Sequence, residues 1–220
     1  MESEINGMGP VIRKEDLELL YEQLDTLKDD DVLVLAGSIP SGMPQSIYRD
    51  IMSRLQSKQI KIAVDATKDL LMNVLAYHPF VIKPNNHELS EIFDVTIDSK
   101  EKAVVYAKEL QKKGAQNVIV SMAGEGAVFV GSDGSVFISE APHGVVKNSV
   151  GAGDSMVAGF LAGYLAKGDY AEAFKMGLCT GSASAFSDQL ATREEVEQVR
   201  RSHIFDSVSY THLTLPTNSR

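Results

Sequence analysis

The segment Asn148-Ser149-Val150-Gly151-Ala152-Gly153-Asp154-Ser155 runs directly into an apolar stretch, Met156-Val157-Ala158-Gly159-Phe160-Leu161-Ala162. Small residues ahead of a helix leave its first backbone N–H groups open, and the helix dipole adds positive potential at that end. The segment therefore has the make-up of a cradle for a phosphate. Asp154, at the expected helix start near Ser155, has two readings. It can cap the helix, or its carboxylate can take a proton from a hydroxyl that attacks a cradled phosphate. The residue types alone leave both open.

Two further constellations carry polar groups at suggestive spacing. Asn85-x-x-Glu88 has the form of a capping box, an Asn before a helix with Glu three residues on. Ser121 precedes Gly124-Glu125-Gly126, which reads equally as a hairpin turn or as a loop that approaches a ligand. Other patterns fail. Gly37-x-x-x-x-Gly42 has the glycine spacing of a P-loop, but Met43-Pro44 stands where Lys and Ser/Thr are needed. Gly124-x-Gly126 lacks the third glycine of a dinucleotide fingerprint, and Gly159-x-x-x-Gly163 reads as a close-packed helix pair.

The elements that must position these residues alternate along the chain. Apolar runs at 32–36, 60–64, 80–82 and 118–120 read as strands buried on both faces, and residues 45–58, 67–76 and 99–113 carry apolar side chains at helical spacing. Such alternation implies βαβ crossovers and a parallel sheet covered by helices on both sides. Ligands in these folds collect at the carboxyl ends of the strands, here Gly37-Ser38, Asp65, Lys83-Pro84-Asn85 and Ser121 onward. Residues 127–130 and 136–139, bounded by glycine turns, suggest antiparallel hairpins at one sheet edge. Helices over 155–167 and 170–186 follow, with Gly168-Asp169 ending one and capping the next, and a final helix spans 193–199.

Bulk properties exclude several classes. A net charge of −9 without a basic run argues against a nucleic-acid partner. The longest apolar helix candidate, 155–166, is too short to span a bilayer, and no signal pattern precedes it, so a cytoplasmic enzyme is expected. Cys179 is the single cysteine and lies in an apolar stretch, which favours a core residue over a reactive thiol. The five histidines form no zinc-ligand set. Residues 208–220 carry no helical apolar face and are expected to be a non-native, poorly ordered tail.

The glycine segment resembles the second signature of the PfkB carbohydrate kinases, whose fold is a ribokinase-like three-layer α/β/α arrangement around a mostly parallel sheet with an antiparallel edge. The resemblance continues in order through Glu4-Ile5-Asn6-Gly7-x-Gly9-Pro10, Leu35-Ala36-Gly37-Ser38-Ile39-Pro40-Ser41-Gly42, Lys83-Pro84-Asn85-Asn86-His87-Glu88-Leu89 and Val120-Ser121-Met122-Ala123-Gly124-Glu125-Gly126-Ala127. It covers residues 3 to about 199, a domain of 1–199. One departure is Asn148-Ser149, where the family often has Asp-Thr.

The resemblance implies that Asp154 is the catalytic base and that Gly151, Ala152 and Gly153 form the anion hole. It implies that Asn85, Ser121, Gly124 and Gly126 lie along the ATP phosphates, and that Glu88, with Asn85, organises Mg²⁺. The implied reaction is phosphorylation of a ketohexose phosphate by ATP, fructose 1-phosphate to fructose 1,6-bisphosphate in the first place, with tagatose 6-phosphate as the alternative acceptor. The complete enzyme is expected to be a homodimer. Met1 aligns inside the family's pattern, so the N-terminal part and the lid that hold the sugar are expected to be missing. A nucleotide-binding module without catalysis is the rival reading for this chain.

Overall fold

The computed structural model describes residues 9, 11–40, 42–203 and 205. Six strands form one sheet in sequence order: β1 (Val32–Ala36), β2 (Lys61–Asp65), β3 (Val81–Ile82), β4 (Asn117–Ser121), β5 (Ala127–Val130) and β6 (Val136–Ser139). The first four run parallel, in a register that pairs Ala36 with Asp65, Val64 with Ile82 and Ile82 with Val118. The last two are antiparallel hairpins. The helices are α1 (Lys14–Asp25), α2 (Ile47–Leu55), α3 (Lys68–Met72), α4 (Asn86–Phe93), α5 (Lys100–Lys112), α6 (Ala152–Lys167), α7 (Tyr170–Phe186) and α8 (Arg193–Ser202).

Alternate strand residues feed two separate cores. Val64, Ile82, Val120 and Val128 pack with Ile51, Leu71, Leu89 and Leu110 of α2 to α5. Their neighbours Ala63, Val81, Ile119 and Phe129 pack on the other face with Phe160 of α6 and Phe174 of α7. A strand with apolar partners on both sides needs no polar alternation, which is why these runs are continuously hydrophobic. The three-layer α/β/α architecture with its antiparallel edge is the one expected.

The first strand departs from expectation. Leu35 is buried, but Val34 is 46% exposed and Ala36 is exposed as well, so β1 is not buried on both faces. It ends the sheet order, and α6 and α7 lie over the strands beyond it. An apolar run does not reveal its place in the sheet, so the edge position was not legible. Residues 67–76 also differ, forming the short α3 followed by a 3₁₀ turn at Leu75–Tyr77.

The helical pair α6–α7 is as tight as its glycines suggest. A Cβ added at Gly159 would stand 2.5 Å from Thr180 Oγ1, one at Gly163 2.9 Å from the Ala173 Cα, and one at Gly177 2.9 Å from the Met156 carbonyl oxygen. Gly168, left-handed, ends α6, and the Asp169 side chain caps α7 by accepting from the Glu172 N–H at 2.7 Å. Cys179 is fully buried and burial pushes its thiol up to about 11, so it is a core residue. The tail expected over 208–220 lies outside the described residues. Among those described, no helix is long and apolar enough to cross a membrane.

Candidate active site

The parallel strands deliver their carboxyl ends side by side. The Gly37 N–H donates to the Asp65 carbonyl at 3.1 Å, and the Ser121 N–H donates to the Pro84 carbonyl at 3.1 Å. This second bond makes a bridge that sets Asn85 beside Ser121, so two of the expected nucleotide residues do meet. Asn85 and Glu88 form a complete capping box for α4. The Glu88 N–H donates to Asn85 Oδ1 and the Asn85 N–H donates to Glu88 Oε2, both at 2.8 Å.

That box uses one Glu88 oxygen and leaves the other, together with the Asn85 side-chain amide. Magnesium keeps most of its waters and binds through few protein groups, so one half-buried carboxylate beside a nucleotide's phosphates is a donor set that suits it. Among the described residues there is no cluster of three or more acidic, His or Cys side chains that would hold a metal through protein groups alone.

The start of α6 corrects one expectation. The helix begins at Ala152 rather than near Ser155, its N-cap is Gly151 with φ +79°, and no side chain caps it. Asp154 is thus the third helical residue and its capping role falls away. Glycine permits the left-handed cap, which a Cβ would strain, and alanine and glycine then wind directly into the helix. The Ala152 N–H donates to the Ser149 carbonyl at 3.2 Å and the Ser155 N–H to the Gly151 carbonyl at 2.9 Å. Among the described residues, no backbone carbonyl accepts from the N–H groups of Gly151, Gly153 or Asp154. Of the three residues expected to form an anion hole, Gly151 and Gly153 keep open donors while Ala152 is engaged. Asp154 carries its carboxylate at this end of the helix, exposed to solvent.

Sequence reasoning pointed to the strand ends where Asp65 and Lys83 sit but gave neither a role. Asp65 ends β2, Lys83 follows β3, and their side chains pair at 3.1 Å with exposures of only 18% and 8%. A Cβ on Gly153 would lie 3.2 Å from Lys83 Nζ and 4.0 Å from Asp65 Oδ2, so the pair sits against the α6 turn. Burial pushes the Asp65 carboxyl up. The Lys83 ammonium pulls it down, and the negative charge of Asp154 adds to the upward push. The sequence signal was that both residues directly follow buried apolar runs.

Gly124 and Gly126 behave differently. Residues Ala123–Glu125 form a 3₁₀ turn in which the Met122 N–H donates to the Gly126 carbonyl at 2.8 Å and the Gly126 N–H to the Ala123 carbonyl at 3.0 Å. Gly126 has φ +92°, and a Cβ there would collide with the Ser139 carbonyl oxygen at 2.1 Å. The local geometry is that of a hairpin turn, and no hydrogen bond among the described residues joins it to the start of α6. Beside Asp154 opens a cleft of about 520 Å³, lined by Asn148, Val150, Gly151, Ala158, Asp188 and Leu190. Val150 and Leu190 give it exposed apolar walls.

Residues 1–195 match the pfkB family carbohydrate kinase profile. A 1-phosphofructokinase of Bacillus subtilis (strain 168) is 45% identical over 198 residues, covering 90% of this chain, and the chain spans 65% of that relative's length. A D-tagatose-1-phosphate kinase of Bacillus licheniformis is 28% identical over 96% of this chain and 68% of its own length. Among solved structures, the phosphofructokinase-2 of Escherichia coli in complex with substrates and products superimposes with a TM-score of 0.82. It is 26% identical, with 89% of this chain and 64% of that one covered.

Proposed function

Because the chain belongs to the pfkB family of carbohydrate kinases, we propose that it carries the nucleotide-phosphate half of an enzyme that phosphorylates a ketohexose phosphate with ATP. Fructose 1-phosphate is the acceptor we favour, since 1-phosphofructokinases include the relative at 45% identity. Tagatose phosphates are the alternative, supported by the more distant tagatose-1-phosphate kinase. In this reading the complete enzyme works in the cytoplasm as a homodimer.

The observation that carries the reading is the start of α6. A carboxylate with no capping duty, Asp154, shares a helix end with open amides at Gly151 and Gly153. The acceptor hydroxyl attacks the γ-phosphorus, its proton passes to Asp154, and the bond to the β-phosphate oxygen breaks to release ADP. The amides stabilise the charge that gathers on the transferring phosphoryl oxygens, and most of the acceleration is positioning and electrostatics. Asn85, Ser121 and the Gly124–Gly126 turn would flank the phosphates, and Glu88, braced by Asn85, would hold Mg²⁺, which neutralises phosphate charge when bound. The apolar-walled cleft beside Asp154 is a fitting place for part of the nucleotide or its acceptor.

A chimera in which the B. subtilis relative supplies the length this chain does not span tests the proposal. ADP release that requires fructose 1-phosphate supports it. A preference for a tagatose phosphate would move the acceptor, and ADP release indifferent to any ketohexose phosphate would refute the kinase reading.

A second reading concerns the 220 residues alone, as a nucleotide binder without sugar turnover. The open apolar face of β1 at Val34 and Ala36 favours it, since a kinase excludes water from its phosphates and packs its sheet on both sides. Sugar-dependent ADP release by the isolated chain would overturn this second reading.

A further inference from the structure

Two serine hydroxyls are buried in the contact between α6 and α7. Ser184 is 3% exposed and Ser155 8%, and Ser184 Oγ donates to Ser155 Oγ at 2.9 Å. Polar groups taken out of water recover only a small net gain from such a bond. The helices do not need it, because α7 already meets the α6 backbone at Gly177 and Gly181, where an added Cβ would stand 2.9 Å and 3.0 Å from carbonyl oxygens of α6. What the pair does supply is an acceptor. The Ala191 N–H donates to Ser184 Oγ at 3.1 Å, so a hydroxyl of α7 reaches the end of the turn that follows the helix.

That turn, residues 187–191, is clamped at both ends and open in between. At its start Ser187 Oγ, also buried, lies 2.9 Å from the Ala183 carbonyl oxygen and 2.9 Å from Glu195 Oε1. At its end stands the bond from Ala191 to Ser184. Between these clamps Asp188, Gln189 and Leu190 are exposed and make no backbone–backbone hydrogen bond among the described residues. The ion pair of Asp188 with Lys147, at 3.2 Å, is exposed and contributes little. Yet these three residues line the cleft beside Asp154, and Leu190 approaches the α6 turn so closely that a Cβ on Gly151 would stand 2.9 Å from its Cδ2.

Resting on the kinase reading above, we propose that Ser184 is a positioning residue for the nucleotide: its hydroxyl, oriented by Ser155, holds residues 188–190 as a preformed wall over the α6 turn. Ser155 takes the Ser184 proton into the helix pair, which leaves an oxygen lone pair facing Ala191. A wall fixed before the nucleotide arrives spares binding the cost of ordering it. Ser184 acts through the turn alone.

The test titrates Mg·ATP into the unaltered chain, Ser184→Ala, Ser155→Ala and Leu190→Ala, with thermal unfolding and amide exchange of residues 187–191 followed in parallel. Ser184→Ala should speed exchange at Ala191 and weaken Mg·ATP binding by about 3- to 10-fold. Ser155→Ala deletes the same interhelical bond but spares the acceptor for Ala191, so it should lose less affinity. Leu190→Ala, at a position 68% exposed where folding is not at risk, should weaken binding with Ala191 exchange unchanged. Unchanged Mg·ATP affinity in Ser184→Ala or in Leu190→Ala would overturn the proposal. So would equal losses in the two serine variants, which would make the pair a staple between helices. If the unaltered chain itself fails to bind Mg·ATP, the kinase reading falls, and the role of Ser184 with it.

Discussion

Two glycine turns in this molecule, Gly124-Glu125-Gly126 and Gly151-Ala152-Gly153, look alike as letters and are built differently. The first spends most of its polar groups on itself, although no carbonyl among the described residues accepts from the Gly124 N–H. Its amides and carbonyls close a 3₁₀ turn, and glycine is needed because a Cβ on Gly126 would stand 2.1 Å from the Ser139 carbonyl oxygen. The second leaves donors unspent at Gly151 and Gly153, and a Cβ on Gly153 would meet a lysine ammonium rather than backbone. Backbone polar groups must find partners somewhere, so the donors left over, at Gly124 in the first turn and at Gly151 and Gly153 in the second, are where a ligand can be received.

The largest effect expected from this contrast belongs to Asp154, beside the unspent donors. Asp154→Asn in the chimera keeps the side chain's shape but removes the proton acceptor. Steady-state turnover should fall by about 10²–10⁴ with Mg·ATP affinity little changed. Near-normal turnover would reduce Asp154 to a bystander. Next comes Gly126→Ala, where positive φ and the clash with backbone together should cost about 2–5 kcal/mol in denaturant unfolding. Because the Gly124–Gly126 turn is proposed to flank the phosphates, Mg·ATP binding by the folded fraction should weaken as well. Lost stability with unchanged Mg·ATP affinity would show that this turn does not face the ligand. The smallest change is Gly124→Ala, since no heavy atom lies within 4 Å of the added Cβ. Its stability should stay within about 0.5 kcal/mol of the unaltered chain.

Local signals in the sequence were reliable wherever the deciding physics was local. The strands Ala127–Val130 and Val136–Ser139 stand where glycine turns bounded the apolar residues. Gly168 and Asp169 divide α6 from α7 as their chemistry dictates, and the Asn85–Glu88 box is complete. The α6 start was placed three residues late because Gly-Ala-Gly carries the signature of a loop, although alanine and glycine wind readily once Gly151 has supplied the left-handed cap. Helix α1 escaped notice because Arg13 stands at its N-cap, where Ser, Thr, Asp or Asn would have announced it, and the Asp16 carboxylate accepts the Arg13 N–H instead. The Lys83–Asp65 pair depends on β2 lying next to β3, a fact of topology that no window of sequence contains. The exposed face of β1 is hidden for the same reason.

Gly153→Ala separates the two kinds of turn most directly. Gly153 lies inside α6 without a positive φ, so alanine suits its backbone, and helix propensity favours the change by up to about 1 kcal/mol. The melting temperature of the 220-residue chain should therefore change little, the propensity gain offsetting the tight contact with Lys83 Nζ. The new methyl group, 3.2 Å from Lys83 Nζ, should obstruct the phosphate path and weaken Mg·ATP binding by about 10-fold or more in titration calorimetry. A variant that keeps both its melting temperature and its Mg·ATP affinity would contradict the assignment of the α6 turn as the phosphate site.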